Sequence, residues 1–457
     1  MRAGRKPRVK CKRSCAWDAT TKETALCKEL RGKMLEQILD RRNIEKALEQ
    51  VMRNKGAGGI DGMQTDELRD YLNTNYQSLR AKMLEGSYQP SPVKKVEIPK
   101  PQGGVRMLGI PTVLDRLLQQ AINQWLSLKY EEQFSKHSYG FRPDKNTHQA
   151  VMQAQSYLNE GKIWVVELDL EKFFDKVNHD RLMSVLSRTV KDKPTLKLIR
   201  SYLTSGILEG GMVSQRTEGT PQGSPLSPLL SNIVLDEFDK ELEKRGHSYV
   251  RYADDCSIYV RSEAAAKRVA ESIIKFIEGK LLLKVNREKT KISRPAESTL
   301  LGFSFFRQNG VWEIRIGEKA VGRITEKCKD ITSRSNGMSE KERIRKLQSV
   351  INGWVNYFVI ARAKTVMQDL DGLVRTRLRI CHWKIWKKPA TRVKRLLKLG
   401  ISKQKAYEWG NSSKGYCRIA HSPILCRTLN NQYLTKQGYY GFYNTYHGKT
   451  DAQPSLF

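Results

Sequence analysis

Residues 32–53, GKMLEQILDRRNIEKALEQVMR, place apolar side chains at helical spacing, and this pattern predicts a helix. The next stretch, NKGAGGIDGM (54–63), holds four glycines and should end that helix. Two β-prone runs in VKKVEIPKPQGGVRMLGIP (93–111) flank Pro-Gln-Gly-Gly, which predicts a hairpin. A helical pattern follows over 113–134. The run IWVVELDL (163–170) has the continuous apolar character of a buried strand, and helical segments follow between 179 and 205. In GTPQGSPLSPLLSNIVLDEFDKEL (219–242) a tight turn feeds a long amphipathic helix. A second hairpin is predicted around VRYADDCSIYV (250–260), then a helix over 263–280 and a short strand pair ending at TLLGFSFF (299–306). From about residue 340 onward the pattern is helical. The expected class is α+β, with a sheet domain followed by a helical region.

Charge changes this picture from a generic sheet domain to one with a polyanionic partner. The 457 residues carry 82 Lys+Arg against 48 Asp+Glu, a net charge of +34. Such an excess repels itself in the compact state, and nucleic acid is the natural counter-charge. No apolar run approaches the roughly 18 residues a membrane span needs, so no membrane role is expected. Residues 341–457 hold 23 Lys+Arg and 5 Asp+Glu, which concentrates +18 of the charge in one quarter of the chain. Residues 1–17 carry seven basic residues and no acid, and read as a basic arm. The eight cysteines are scattered, which suggests free thiols in a reducing compartment. Cys11, Cys15 and Cys27 lack the paired spacing of a zinc site.

Against this background the adjacent acids Asp254 and Asp255 need an explanation. Their mutual repulsion is costly unless a cation offsets it. Asp169 ends the buried strand 85 residues earlier. If the two strands are neighbours, the three carboxylates converge and can hold divalent ions for phosphoryl transfer. A nuclease and a nucleotidyl transferase both use that arrangement.

The segments LDLEKFFDKVNHDRLM, GTPQGSPLSPLLSNIVLDEFD, RYADD and LLGFSFF resemble, in order and spacing, the palm of reverse transcriptases. IPKPQGGVRMLGIPTVLDRLLQQAI and HSYGFRPDKNTHQAV are similar to the fingers. INGWVNYFVIARAKTVMQDLDGLVRTRLRICHWKIWKKP resembles the thumb, or maturase domain, of group II intron-encoded proteins. The resemblance runs from about residue 34 to about 445. It implies a right-hand polymerase with an antiparallel palm sheet and a helical thumb. The implied divisions are a basic arm (1–30), fingers and palm (31–310), thumb (311–400) and a basic C-terminal region (401–457).

By the same resemblance, Asp169, Asp254 and Asp255 match the catalytic, metal-binding triad, with two Mg²⁺ ions as cofactors and Mn²⁺ as a substitute. Lys100 and Arg106 match the residues that grip the incoming deoxynucleoside triphosphate. Phe174 matches the side chain that excludes a 2′-hydroxyl, with Phe173 as the core neighbour. Gln222 and Gly223 match the turn that supports the template-nucleotide pair. Lys289 matches the lysine near the leaving phosphate, with Lys291 as the alternative. In the thumb, Arg375, Arg377, Arg379, Lys384, Lys387 and Lys388 are the expected contacts to nucleic acid, interleaved with Trp354, Tyr357, Trp383, Trp386 and Trp409. The other reading of the tryptophans, and the one favoured for Trp354 and Trp383, is the core of a helical bundle.

The expected partners are group II intron RNA, a DNA target or primer, and deoxynucleoside triphosphates. The expected activity is RNA-directed DNA synthesis together with assistance to splicing, in a bacterial cytoplasm beside the nucleoid. No Cys- and His-rich HNH cluster appears by Phe457, as in the bacterial class C lineage. Two other readings stay open at this level: a splicing-only RNA-binding maturase, and a domesticated reverse transcriptase acting in DNA repair. Nothing in the pattern sets an oligomeric state.

Overall fold

A computed structural model describes residues 34–99 and 104–451. The basic arm with Cys11, Cys15 and Cys27, the first residues of the predicted opening helix, Lys100 and the tip of the first hairpin lie outside the described residues.

Ten strands are present among the described residues. In chain order they are β1 (Val93–Pro99), β2 (Val105–Ile110), β3 (Trp164–Leu168), β4 (Ile207–Glu209), β5 (Met212–Ser214), β6 (Ser248–Tyr252), β7 (Asp255–Val260), β8 (Lys291–Ser293), β9 (Phe303–Gln308) and β10 (Val311–Ile316). The chain divides into two compact units that interleave in sequence. One comprises residues up to 141, 170–241 and 274–286; the other comprises 142–169, 242–273 and 287 onward.

The first unit contains a four-stranded sheet in the order β2-β1-β4-β5, together with several helices. The predicted hairpin is β1–β2, antiparallel, with Ile98 opposite Arg106. Helix Arg41–Asn54 shows how local chemistry sets the elements. Asp40 accepts a hydrogen bond from the Arg42 amide at 2.9 Å and starts the helix, and Lys55 ends it in the left-handed region (φ 46°). Its buried residues, Ile44, Ala47, Leu48 and Val51, repeat every three or four positions and form the stripe that faces the core. The small hairpin β4–β5 has no counterpart in the sequence reading.

The second unit contains the antiparallel sheet β6-β7-β3-β8, a separate β9–β10 ribbon, and the helices from Glu318 to Thr450. The central strand β3 is buried by Val165, Val166 and Leu168, as its unbroken apolar run requires. The expected strand pair ending at 299–306 needs correcting. β8 pairs with β3, whereas β9 extends to Gln308 and pairs with β10. Asn309 (φ 49°) and Gly310 (φ 84°) form the turn between them.

The helical region has its own core of Trp383, Trp386, Val393, Leu396, Ile419, Leu425 and Leu429, so these two tryptophans are bundle residues. Arg392 stacks its guanidinium over the Trp383 ring at 4.6 Å. The last helix, Gly441–Thr450, is not capped by its own preceding residue. Its amides at Phe442 and Tyr443 instead donate to Asp371, at 2.8 and 2.9 Å, and the Tyr440 amide donates to Gln348. Side chains 71 to 92 positions away, on helices Glu340–Phe358 and Lys364–Ile385, therefore fasten this helix.

Candidate active site

The sheet of the second unit brings the three acids together. In the β3–β7 pairing Leu168 lies opposite Cys256, so one step further along the same register sets Asp169 across from Asp255. In the β6–β7 pairing Tyr252 lies opposite Asp255, which leaves Ala253 and Asp254 as a two-residue turn. Ala253 sits at φ 57°, a left-handed conformation that is costly for a residue with a Cβ. The turn is held from below. Arg251 is fully buried and donates from Nη1 to the Ala253 carbonyl at 2.8 Å.

Electrostatics set this corner apart. Desolvation first, then the charges of Asp254, Asp169 and Glu167, push the Asp255 pKa up from 3.8 to about 6, against the pull of Lys289. Lys289 lies 3.7 Å from Asp169 and Lys291 lies 3.0 Å from Glu167. Of the two lysines, Lys289 is therefore the one beside the carboxylates. The Asp169 amide donates to Thr290 Oγ1 at 3.3 Å. Among the described residues, no three His, Cys, Asp or Glu side chains already enclose an ion position. Mg²⁺ is commonly held by one or two carboxylates together with substrate phosphates, without a cage made only of protein. The donor chemistry of Asp169, Asp254 and Asp255 fits such an ion.

Within the first unit, backbone bonds gather the residues expected to meet a nucleotide. The Gly109 amide on β2 donates to the Gln222 carbonyl at 2.9 Å, three residues along the strand from exposed Arg106. The Thr220 amide donates to the Phe174 carbonyl at 2.6 Å, and the Gln222 side chain reaches Asp175 at 3.4 Å. Gly219 (φ 82°) is required here, because a Cβ would stand 2.7 Å from the Asp175 carbonyl oxygen. Gly223 also has a positive φ, 108°. Phe173 is 2% exposed and belongs to the core, whereas Phe174 is half-buried with its ring edge-on to Phe173 at 5.5 Å.

The three alternating arginines of helix Lys364–Ile385 divide. Arg377 donates to Thr332 Oγ1 and the Lys329 carbonyl, at 2.6 and 2.9 Å. Arg379 donates to the Leu429 carbonyl at 3.3 Å. Both are engaged in holding helices together, which weighs against the expectation that they contact nucleic acid. Lys384 donates to the Arg334 carbonyl at 2.6 Å, while Lys387 and Lys388 are exposed. Arg375 is half-buried at the edge of a cavity.

Two residues of this corner were missed in the sequence. Glu167 precedes Asp169 by two positions on a strand and so faces the same side of the sheet, a signal that the period of two makes available. Its Oε1 accepts from Ser298 Oγ (2.6 Å) and the Thr299 amide (3.0 Å). Arg251 was readable as a lone charge inside the strand SYVRY. Because its Nη1 holds the turn that carries Asp254, Arg251→Met should lower kcat of a reaction at these acids about tenfold or more while KM stays nearly constant. An equal rise in KM, measured by steady-state kinetics, would contradict that role.

The reverse transcriptase (RNA-dependent DNA polymerase) family model matches residues 98–305, and the group II intron maturase-specific domain matches 321–400. Protein YkfC of Escherichia coli is 33% identical over 313 residues, which cover 59% of this chain and 81% of that protein. Group II intron-encoded protein LtrA of Lactococcus lactis is 28% identical over 323 residues, and the match spans only 54% of its length. A solved partial Cas6-RT-Cas1–Cas2 complex overlaps with a TM-score of 0.36 at 28% identity, covering 57% of this chain and 44% of that chain.

Proposed function

This chain belongs to the reverse transcriptase family whose members carry a group II intron maturase domain, and from that premise we propose that it copies intron RNA into DNA and assists the intron's splicing. The observation that carries the polymerase reading is the juxtaposition of Asp169 and Asp255 across two neighbouring strands, with Asp254 in the strained turn and Lys289 alongside.

Asp169, Asp254 and Asp255 would hold two divalent ions, Mg²⁺ by preference. When bound, the ions lower the barrier to attack by a primer 3′-hydroxyl and neutralise the departing pyrophosphate. Lys289 offers a cation to that same leaving charge. Arg106, together with Lys100, binds the triphosphate, since a guanidinium can engage phosphate oxygens bidentately. Phe174 presents a half-exposed ring against which a 2′-hydroxyl would clash. Gln222 and Gly223 orient the template-nucleotide pair through a loop tied to β2.

The substrates are thus a primer 3′-end, an RNA template and deoxynucleoside triphosphates. The structured intron RNA is the second partner, gripped by the basic helical region. No described helix is long and apolar enough to cross a membrane. The test is primer extension on an RNA template combined with intron RNA binding by the purified protein. Absence of both would overturn the proposal.

The binding half of the proposal has its own test. Lys387, Lys388 and Lys394 are exposed and flank the bundle core, so they are free to meet phosphates. Changing all three to Ala should weaken RNA binding and flatten the dependence of log affinity on log salt by up to about three units. Binding titrations at several salt concentrations read this directly. An unaltered slope would move the phosphate contacts elsewhere.

A further inference from the structure

Between helix Lys364–Ile385 and the C-terminal helices lies a polar cavity of about 230 Å³. Its floor is rigid. Asp371 is 3% exposed and accepts from the Tyr439 hydroxyl at 2.8 Å and from the amides of Phe442 and Tyr443. Gly441 (φ 82°) packs so tightly there that a Cβ would stand 2.5 Å from Asp371 Oδ1.

The rim is uncommitted. Arg375 is one helical turn beyond Asp371 and half-buried, and it makes no hydrogen bond or ion pair among the described residues. The floor acid is already engaged by three donors. The Gln368 and Asn431 side-chain amides likewise bond to nothing described, and Asn444 donates only to the Tyr440 carbonyl of its own helix, at 3.2 Å. Tyr440 is 56% exposed at the mouth, and Tyr443 forms part of the lining.

Resting on the nucleic-acid reading above, we infer that this cavity takes one unpaired nucleotide of the bound RNA. The amides supply both donors and acceptors, which suits the mixed edge of a base, and a tyrosine ring supplies a face for stacking. The guanidinium suits a phosphate or the O6/N7 edge of a purine. The size admits a single base and excludes a paired helix. The surrounding region, with 23 basic and 5 acidic residues, draws a polyanion to the mouth. Phosphate contacts elsewhere on the thumb would supply affinity, and this cavity would supply a preference for base identity at one position.

The test uses the full-length protein and four homopolymeric single-stranded RNAs, with a chain of equal length made of abasic riboses as the reference. At least one homopolymer should bind about tenfold more tightly than the abasic chain, the scale of one stacked base. Arg375→Ala should abolish that preference, leaving binding equal to the abasic value. Gln368→Ala and Tyr440→Ala change exposed residues only, so they repeat the test without touching the core, and each should reduce the preference. Primer extension on a short template should be unaffected in Gln368→Ala and Tyr440→Ala.

Equal binding of all homopolymers and the abasic chain would overturn the inference. So would a preference that survives all three variants, or inorganic phosphate competing as well as nucleoside monophosphates, which would mean a plain anion site. In each of those cases wild-type RNA binding and DNA synthesis remain. Loss of both in the wild type would instead overturn the functional reading itself, and this inference with it.

Discussion

Asp254→Asn combined with Asp255→Asn should abolish DNA synthesis, by about three orders of magnitude or more, while leaving intron RNA binding and protein-assisted splicing nearly intact. The ions that these carboxylates would hold stabilise charge in the transition state, which is the largest single catalytic contribution in such sites. The splicing chemistry belongs to the RNA, so it does not depend on these side chains. A second readout needs no activity. Asp255 is held near 6 in the metal-free fold, above its ordinary 3.8. Between those two values the folded state binds the proton that the unfolded chain releases, so this group's contribution to stability falls as pH rises through the window and stays unfavourable above it. Metal-free Asp255→Asn should therefore melt higher than wild type at pH 7.5, and the advantage should vanish near pH 4. Added Mg²⁺ should raise the wild-type melting temperature at pH 7.5 and leave the double variant unmoved. Primer extension and thermal melts check the two halves separately.

Phe174→Ala should admit ribonucleoside triphosphates, with discrimination between deoxy- and ribonucleotides falling by about a hundredfold. The structure separates the two adjacent rings: Phe173 is sunk in the core, and Phe174 stands half-exposed over the loop that carries Gln222. Removing Phe174 should cost little stability, whereas Phe173→Ala should cost about 3–5 kcal/mol, as for other buried phenylalanines. Single-nucleotide incorporation with paired deoxy and ribo substrates measures the selectivity. Unaltered selectivity with a large loss of stability would assign Phe174 to the core.

What the sequence made legible follows from how the signal is written. Strand β3 and the β6–β7 hairpin could be read because an apolar run interrupted by acids has few structural uses. The β4–β5 hairpin escaped because ILEGGMVS offers three-residue strands with exposed Met212 and Val213, too short to show a period. The β9–β10 ribbon was cut short for a related reason: Arg307, Gln308 and Asn309 look like a loop, yet they carry the strand into its turn. Residue types alone could not sort the thumb cations. Arg375, Arg377 and Arg379 alternate in sequence, but only packing shows that Arg377 and Arg379 donate to backbone and hydroxyl oxygens of other segments. The Asp371 cap was invisible for the same reason, since its partners lie about 70 positions away.

The most direct test of the central claim is DNA synthesis by the purified wild-type protein on group II intron RNA. An annealed DNA primer, deoxynucleoside triphosphates and Mg²⁺ complete the reaction. Primer-dependent, RNA-templated DNA product is expected, and it should disappear when the divalent ion is chelated. Folded protein that binds the RNA and extends no primer with either Mg²⁺ or Mn²⁺ would contradict it.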